Sequence, residues 1–586
     1  MMYGVNRLTC YFFCILALVF VSSGQAQESQ GRVFVTIEGV DGRVANNVRG
    51  LLSIYALHEQ NAPGASRVRY LHGLAFRDVR RAVAPFGYYQ FELESDLERR
   101  GDDWHAHYRI SLGPAIPIGT VDVRIEGDAQ NDDAFRNIRN QLNLRSGTPL
   151  RHSNYEGAKT RIRDLAADRG YYQARFTQQE LRIDLDSYLA HITLVFDSGP
   201  RYRFGAVQFS EGHLDEDVLR RFIDFQEGSF ITSREILDLQ QGMAGTDYFG
   251  RVEVQPLWAE ADEDYQVPVR VDFEPNKRKY DRIGLGYGTD TGPRISFDAN
   301  RRWVNTRGHR VQGNVQLSEI LTGVGASYII PGSRPQTDQY AIRSAYRDEN
   351  TSNTQSELFT LGVSWQTELT RTQRIIALDW QTERDLFDGQ RRRSDFLLPS
   401  AQWTRIHADN RLNVDRGFRL TFGVRGASRD LFSDTDFMQA NLSGKFVSRV
   451  SDRVRVLARS ELGFSESAEF DRVPTSLRFY AGGDNSVRGY GYRSISPRSE
   501  SGEVVGARHL IIGSLEADYE FRTNWRFAIF TDAGNAFNDI SDPMKFGAGA
   551  GIRWQSPVGP IRIDLAHGFS FPGDRIRLHL TIGPDL

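Results

Sequence analysis

The chain has 586 residues, more than one compact domain usually holds. Its 72 basic and 75 acidic side chains leave a formal net charge of −3, so no basic field points to nucleic acid as a partner. The mean hydropathy of −0.46 is that of a water-soluble protein. This average does not exclude a membrane-spanning β-barrel, because barrel strands alternate apolar with polar residues.

The first 26 residues have the pattern of an export signal peptide. Arg7 gives a short positive region, residues 11–21 form an apolar run, and small residues precede a cleavage site after position 26. An uncleaved membrane anchor is the alternative, but the run is shorter than the ~20 residues a spanning helix needs. Both cysteines, Cys10 and Cys14, lie in this segment, so the sequence predicts a mature chain without disulfides or thiolate metal sites.

A weak repeat of about 80 residues fills the region after the signal. Gly87-Tyr88-Tyr89 recurs as Gly170-Tyr171-Tyr172, and Tyr248-Phe249-Gly250 is a degenerate third copy. Each copy stands between an amphipathic helical pattern and an alternating strand pattern, at residues 76–84 and 90–93, 155–168 and 173–176, and 234–246 and 252–256. Each unit therefore predicts strand–helix–helix–strand–strand, which can bury a small mixed α/β core.

From about residue 280 onwards, apolar and polar residues alternate with a period of two for roughly 300 residues. In residues 453–464, for example, Val454 and Val456 share one face while Arg453 and Arg455 share the other. Aromatic residues stand near many strand ends, as at Tyr280, Trp303, Tyr340, Trp380, Trp403 and Trp525. These features predict an antiparallel transmembrane β-barrel of about 16 strands with a polar lumen. A large soluble array of β-sandwiches is the alternative.

Three such α/β units followed by a barrel resemble the POTRA-plus-barrel proteins of the BamA/TamA outer-membrane insertase superfamily. The resemblance covers essentially the whole mature chain. It implies three tandem α+β POTRA domains (βααββ) at residues 31–114, 117–200 and 202–275, and a transmembrane β-barrel at 277–586. It also implies that the barrel lies in the cell outer membrane, in contact with its lipid, and that the POTRA domains lie in the periplasm.

The strongest local signal is Gly-Gly-Asp-Asn-Ser-Val-Arg-Gly-Tyr at residues 482–490. It resembles the superfamily's VRG(F/Y) motif, which implies that loop 481–506 folds into the lumen. The motif residues are Val487, Arg488, Gly489 and Tyr490. The acidic partners expected for the arginine are Glu516, in a G-x-x-E pattern, and Asp532, in an F-x-D-x-G pattern. A guanidinium donates in a planar fork, so one arginine can bridge both carboxylates. A solvated arginine in a surface loop is the alternative.

Within the superfamily, the three POTRA units and the longer stretch 482–497 are most similar to the TamA branch, the outer-membrane subunits of the translocation and assembly module. This implies an assembly factor with no catalytic residue, no cofactor and no metal. Its clients would be unfolded outer-membrane proteins of the autotransporter type. Its partner would be a TamB-like protein, anchored in the inner membrane and spanning the periplasm, that binds the first POTRA domain.

The same resemblance implies a weak seam between the first barrel strand, about residues 280–287, and the last, about 575–582. The first strand contains Gly284, Gly286 and Gly288, which weaken pairing through backbone entropy and missing side-chain contacts. The apolar face of the last strand consists of Ile576, Leu578, Leu580 and Ile582. An open seam would leave backbone groups unsatisfied in lipid, and a client strand could satisfy them.

A pore that exports one dedicated substrate, as in two-partner secretion, is the alternative function. Such relatives usually carry two POTRA domains and a plug helix, and nothing between residues 26 and 32 resembles a plug. The central insertase of the superfamily typically carries five domains, for which this chain is too short.

Enzymatic and metal sites find little support in the sequence. The esterase motif G-x-S-x-G is not found, and its nearest approach, residues 568–572, has proline at the last position. His105 and His107 share a strand face, but no third metal ligand lies near them in the sequence. The run 391–393 of three arginines is interpreted as a solvated loop, with contact to lipopolysaccharide as the sharper alternative.

Overall fold

A computed structural model of the protein describes residues 31–351, 354–369, 371–410, 414–556, 559–570 and 576–582. The predicted signal peptide and Arg575 lie outside these ranges. Three small α/β modules precede a closed antiparallel barrel, so the predicted fold class is confirmed. The chain forms two compact units, one up to Tyr202 and one from Arg203. Among the described residues, no helix has both the length and the apolar character needed to cross a membrane.

The first module packs three helices on a three-stranded sheet. Its elements are β1 Val33–Glu38, α1 Gly42–Leu51, α2 Ala65–Gly73, α3 Ala75–Val83, β2 Glu92–Arg100 and β3 Asp103–Ser111. The sheet order is β1-β3-β2, with β1 parallel to β3. In α3 the buried residues Val79, Ala82 and Val83 follow the helical period and pack against Tyr108 and Ile110 of β3 in one core. The strand β2 is left at the edge of this sheet.

The second module repeats this plan with a longer final helix. Its elements are β4 Ile118–Glu126, α4 Asp133–Arg136, α5 Ile138–Gln141, α6 His152–Asp168, β5 Arg175–Asp184 and β6 Leu189–Asp197. The sheet order is β4-β6-β5. Buried residues recur in α6 at Tyr155, Ala158, Ile162 and Ala166, a spacing that keeps one helix face on the sheet.

The third module belongs to the same compact unit as the barrel. Its elements are β7 Arg203–Phe209, α7 Glu216–Arg220, α8 Ser233–Ala244, β8 Phe249–Pro256 and β9 Gln266–Pro275, in the sheet order β7-β9-β8. The hydroxyl of Tyr248 donates to the carbonyl of Gly308 at 2.5 Å, and the Asp215 N–H donates to the carbonyl of Thr306 at 2.9 Å. Both acceptors lie in a turn of the barrel, so this module is tied directly to it.

The barrel closes in simple sequence order, with every neighbouring pair antiparallel. Its sixteen strands are β10 Lys279–Gly288, β11 Gly292–Arg301, β12 Arg310–Ser318, β13 Leu321–Pro331, β14 Gln339–Asn350, β15 Gln355–Leu369, β16 Thr372–Phe387, β17 Gln390–Ala408, β18 Arg416–Ala427, β19 Phe437–Ser451, β20 Val454–Glu466, β21 His509–Arg522, β22 Trp525–Phe537, β23 Lys545–Ser556, β24 Gly559–Gly568 and β25 Ile576–Ile582. The barrel closes where β10 meets β25, so that the sheet forms a ring of strands, the arrangement by which β-proteins span a membrane.

The alternating residues divide between the two faces of the barrel wall. Apolar side chains such as Ile283, Leu285 and Ile529 are exposed on the outside, whereas Asp518 and Asp532 are buried inside. The interpretation of residues 391–393 as a loop is wrong, because they lie in β17. Arg392 pairs there with Asp385 of β16 through two hydrogen bonds of 2.7 Å, in a hairpin that continues past β18 but stays paired with β15.

Asp132 is a buried acid on which the second module depends. It caps α4 by accepting from the Ala134 N–H at 3.0 Å, and it accepts from Arg169 Nε at 2.6 Å and the Tyr171 hydroxyl at 3.1 Å. Burial opposes the charged form, but these hydrogen bonds and the charge of Arg169 lower the pKa of Asp132 below its usual value. The stability it contributes is complete above about pH 4, the ordinary range of aspartate, and is lost as the pH falls through the lowered pKa.

We expect Asp132→Asn to lower the free energy of unfolding of the second module by about 2 kcal/mol, because an amide replaces a charged acceptor. Hydrogen exchange of the full chain at pH 7, corrected for intrinsic rates, should be faster in peptides from residues 132–171. The difference from the unchanged protein should shrink at acidic pH. Asp133→Asn is the matched control, since that side chain is 87% exposed. Equal protection in both variants would contradict the role of Asp132.

Candidate functional site: the lumen loop and the strand seam

The segment between β20 and β21, residues 467–508, turns back into the barrel. Ala481, Val487, Tyr490 and Ile495 of this lumen loop are buried in one apolar cluster with Leu510, Ile512 and Ala536 of the wall. Gly482 and Gly483 turn the backbone with φ values of 97° and 112°. A Cβ on Gly483 would lie 2.5 Å from a carboxylate oxygen of Asp290, so this close approach requires glycine.

Arg488 meets both of the acidic residues that the motif predicts. Its Nε and Nη2 donate to the two carboxylate oxygens of Asp532 at 2.7 and 2.9 Å, and its backbone N–H donates to Asp532 at 3.0 Å. Its Nη1 donates to Glu516 Oε2 at 2.9 Å. The arrangement with Asp532 is bidentate, the geometry in which a guanidinium binds a carboxylate most tightly.

Two further charged residues complete this cluster and were missed in the sequence. Asp564 of β24 accepts from Arg488 Nη1 at 3.1 Å. Arg553 of β23 donates to Glu516 at 2.9 Å and is also hydrogen-bonded to Asp564. The ring of Phe530 lies 3.4 Å below the guanidinium carbon of Arg488. The alternation of apolar and polar residues along the strands predicts that Asp564 and Arg553 face the lumen, but no motif distinguishes them from the other charged residues there.

The Arg488 cluster binds the loop firmly because all of its charges are shielded from water. The side chains of Arg488, Glu516, Asp532 and Asp564 are each less than one tenth exposed. Removing Arg488 would leave Glu516 and Asp564 bonded to Arg553 and would take from Asp532 its bidentate partner. The loss of one partner from a buried group of this kind costs roughly 3–5 kcal/mol.

Gly489 and Tyr490 fix the loop against β23 and the end of β24. Gly489 has a φ of 93°, and a Cβ there would lie 2.7 Å from the backbone nitrogen of Gly568 at the end of β24. The Tyr490 hydroxyl donates to the carbonyl of Phe546 at 3.2 Å and accepts from the Ser570 N–H at 3.0 Å. The motif therefore places a tight backbone contact and a side-chain anchor directly after Arg488.

Within the described part of the chain, the first and last strands meet over a short stretch. β25 pairs with β24 along its described length, from Ile582 opposite Ile561 to Ile576 opposite His567. With β10 it has one registered pair in the described residues, Gly288 opposite Thr581. Thr289 adds hydrogen bonds, accepting from the Leu580 N–H at 2.5 Å and donating its backbone N–H to the Leu580 carbonyl at 3.3 Å.

The glycines predicted for the seam in β10 face the lumen, whereas the apolar residues predicted for it in β25 face outwards. Gly284, Gly286 and Gly288 alternate with the exposed residues Ile283, Leu285 and Tyr287, so the glycines face the lumen. In β25, Ile576 and Leu578 are exposed, Leu580 and Ile582 share their face, and His579 is buried on the other face. Between loop and wall lies a cavity of about 850 Å³ whose lining includes Gly288, Asp484 and Thr581.

The family follows from a comparison with known proteins. The model described as the Omp85 superfamily domain matches residues 279–585, more than half of the chain. The chain belongs to the Omp85 superfamily. The model for the first POTRA domain of TamA matches residues 35–112, and a POTRA model described as a surface antigen variable number repeat matches 121–199. The predicted superfamily is thus confirmed, and the match to the first module supports the TamA branch.

Curated relatives of this Omp85 protein include two outer membrane protein assembly factors named BamA. That of Nitratidesulfovibrio vulgaris is 22% identical over 71% of this chain and 54% of its own length. That of Neorickettsia risticii is 21% identical over 84% of this chain and 69% of its own length. The chain therefore spans about half the length of the first of these relatives.

A solved structure gives the same fold. BamA from Haemophilus ducreyi lacking POTRA domains 1–3 matches with a TM-score of 0.67 and 18% identity, over 80% of this chain and 99% of that one. The family and fold place the barrel in the outer membrane with its N-terminal POTRA domains in the periplasm, as predicted. The lumen loop begins at the end of the barrel that lies opposite the third module. The strand ends there therefore face the cell exterior.

We expect Arg488→Ala to release the lumen loop, because three buried carboxylates lose their shared donor. Limited proteolysis of the folded barrel should then cut within residues 467–508, where the unchanged protein resists. Arg488→Lys keeps the charge but not the fork and should give intermediate protection. Arg498→Ala is the control, since that exposed side chain bonds only to the Gly502 carbonyl of the same loop among its described contacts. Unchanged resistance of Arg488→Ala would refute the anchor.

Proposed function

We propose that this chain is an outer-membrane protein assembly factor that inserts β-barrel clients through the seam between β10 and β25. It acts by binding and guiding strands, with no catalytic residue. The proposal is carried by the seam's having one registered pair among the described residues. Separating β10 from β25 at this pair exposes few backbone groups. Separating any other two adjacent strands of the barrel would break a whole ladder of hydrogen bonds.

A client strand is suited to occupy the open seam. In the described part of the chain, residues Lys279 to Tyr287 of β10 have no registered partner on the side of β25. The backbone groups that point to that side can therefore pair with an incoming strand. Pairing by strand addition satisfies the backbone and needs little specificity from side chains. The exposed apolar residues Ile283 and Leu285 would meanwhile remain in contact with outer-membrane lipid.

The TamA type of assembly factor is favoured over a two-partner-secretion pore. The first module matches the first POTRA domain of TamA, and three modules precede the barrel. We therefore propose autotransporter-type clients and a TamB-like partner, anchored in the inner membrane, that binds the first POTRA domain. The edge strand β2 is a suitable docking site, because it pairs only with β3 among the described residues.

A disulfide across the seam tests the site of insertion. Gly288→Cys with Thr581→Cys joins a directly opposed pair, whose Cα separation of about 4.5–5.5 Å suits a disulfide. Oxidation should lower insertion of an autotransporter β-domain into proteoliposomes to the level of empty liposomes, and reduction should restore it.

The matched control is Gln316→Cys with Gly323→Cys, a directly opposed pair between β12 and β13 that likewise replaces one glycine and one polar residue. This lock should leave insertion unchanged, because these strands stay paired. Full insertion with the seam oxidised would refute the seam mechanism.

Crosslinking from the first POTRA domain tests the partner. A photoreactive residue at Asp96, exposed on β2, should capture a large, β-rich protein with one inner-membrane anchor. The same residue at Gln179, exposed on the equivalent edge strand β5 of the second module, is the control and should not. Capture of a secreted polypeptide as the main product would instead support the secretion pore.

A further inference from the structure

Asp484, near the tip of the lumen loop, bonds to both sides of the seam. Its backbone N–H donates to Asp290 Oδ2 at 2.6 Å, and its Oδ2 accepts from the Asp290 N–H at 3.3 Å. Asp290 lies in the turn that joins β10 to β11. The other carboxylate oxygen of Asp484, Oδ1, lies 2.6 Å from His579 Nδ1 on β25. One residue of the loop therefore connects the first hairpin to the last strand.

His579 makes a second contact with the loop, and this contact determines which ring nitrogen carries the proton. Its Nε2 accepts from the Gly489 N–H at 2.9 Å, so the ring proton must lie on Nδ1, where it is donated to Asp484. The His579 side chain is only 4% exposed. Because both ring nitrogens are occupied, the trio of Asp290, Asp484 and His579 forms a hydrogen-bonded junction and offers a metal no free nitrogen.

These contacts are comparable in number to those of the seam itself. The two strands share one registered pair and the Thr289 bonds, whereas the loop adds two bonds to the β10–β11 turn and two to β25. The loop is in turn held by Arg488, which directly precedes Gly489. Movement of β25 away from β10 must therefore break the bonds of Asp484 on one side or the other.

We propose that Asp484 and His579 are a latch through which the lumen loop holds the seam closed. This inference rests on the proposed role of the seam and adds the residues that control its opening. The latch is separate from the Arg488 anchor: Arg488 fixes the loop to the wall at β21, β22 and β24, whereas Asp484 fixes the two seam strands to the loop. Release of the latch leaves the loop in place and frees β25.

The rate of disulfide trapping measures the latch without any client. In the Gly288→Cys, Thr581→Cys background, a closed seam should trap rapidly on addition of oxidant. Asp484→Ala should slow trapping about three- to tenfold, because the strands spend more time apart when these hydrogen bonds are lost. Glu503→Ala is the matched control: this loop acid accepts from the Gly389 N–H, away from the seam, and its loss should leave the rate unchanged.

Two variants of His579 separate its contacts and guard against a fold defect. His579→Asn retains a donor near the position of Nδ1, and His579→Gln retains an acceptor near that of Nε2. Each should slow trapping less than His579→Ala, in barrels that keep their heat-modifiable migration on gels. Trapping at the unchanged rate in both Asp484→Ala and His579→Ala would overturn the latch.

The latch and the proposed function can fail separately. If trapping is unchanged but the seam disulfide still blocks insertion, the latch is wrong and the seam mechanism stands. If the latch variants slow trapping but the seam disulfide leaves insertion intact, the latch stands as a structural device and the seam mechanism is wrong.

Discussion

The buried charge of Arg488 is the constraint on which the lumen depends. A guanidinium removed from water is stable only when carboxylates and hydrogen bonds surround it, and here those carboxylates come from β21, β22 and β24. Each of these strands must present its acid inward at the same height, so the cluster fixes their relative register together with the backbone ladder. A shift of one residue would turn each carboxylate towards lipid. The arginine of the loop therefore requires one strand register, and that register in turn fixes where the loop binds.

Polar groups removed from water need partners, and the barrel meets this requirement least completely at the seam between β10 and β25. Backbone groups in a membrane must be paired, yet β25 has only Gly288 as a registered partner in β10 within the described residues. The lumen loop supplies side-chain and backbone bonds at this place through Asp484 and Gly489. A closed barrel with one weak junction can therefore persist at rest, because polar contacts inside the lumen replace part of the missing strand ladder.

Much of this fold could be predicted from periodicity, and the limits of the prediction have physical causes. Alternation over the C-terminal half indicates a barrel, and the motif around Arg488 indicates Glu516 and Asp532. Asp564, Arg553 and His579 were missed as partners because alternation shows only that a residue faces the lumen. Which of many inward charges meet depends on the register and tilt of strands far apart in sequence. The arginines at 391–393 suggest a loop because charge suggests solvent, but they lie in the part of β17 that extends past β18, where Arg392 bonds to Asp385.

The two polar networks of the lumen differ in strength, and this sets an order of events. Arg488 makes several charge-assisted bonds to carboxylates shielded from water, whereas Asp484 makes two bonds with Asp290 and one with His579. The Arg488 bonds join a cation to carboxylates and are bidentate towards Asp532, whereas the Asp484 bonds join carboxylates to N–H groups of the backbone and of an imidazole, so the seam should yield before the loop leaves its site. A client strand that pairs with β10 replaces backbone bonds of the seam but offers no substitute for the Arg488 cluster. In the proposed mechanism the loop thus remains as a fixed wall of the lumen while β25 moves, which would keep the barrel folded during insertion.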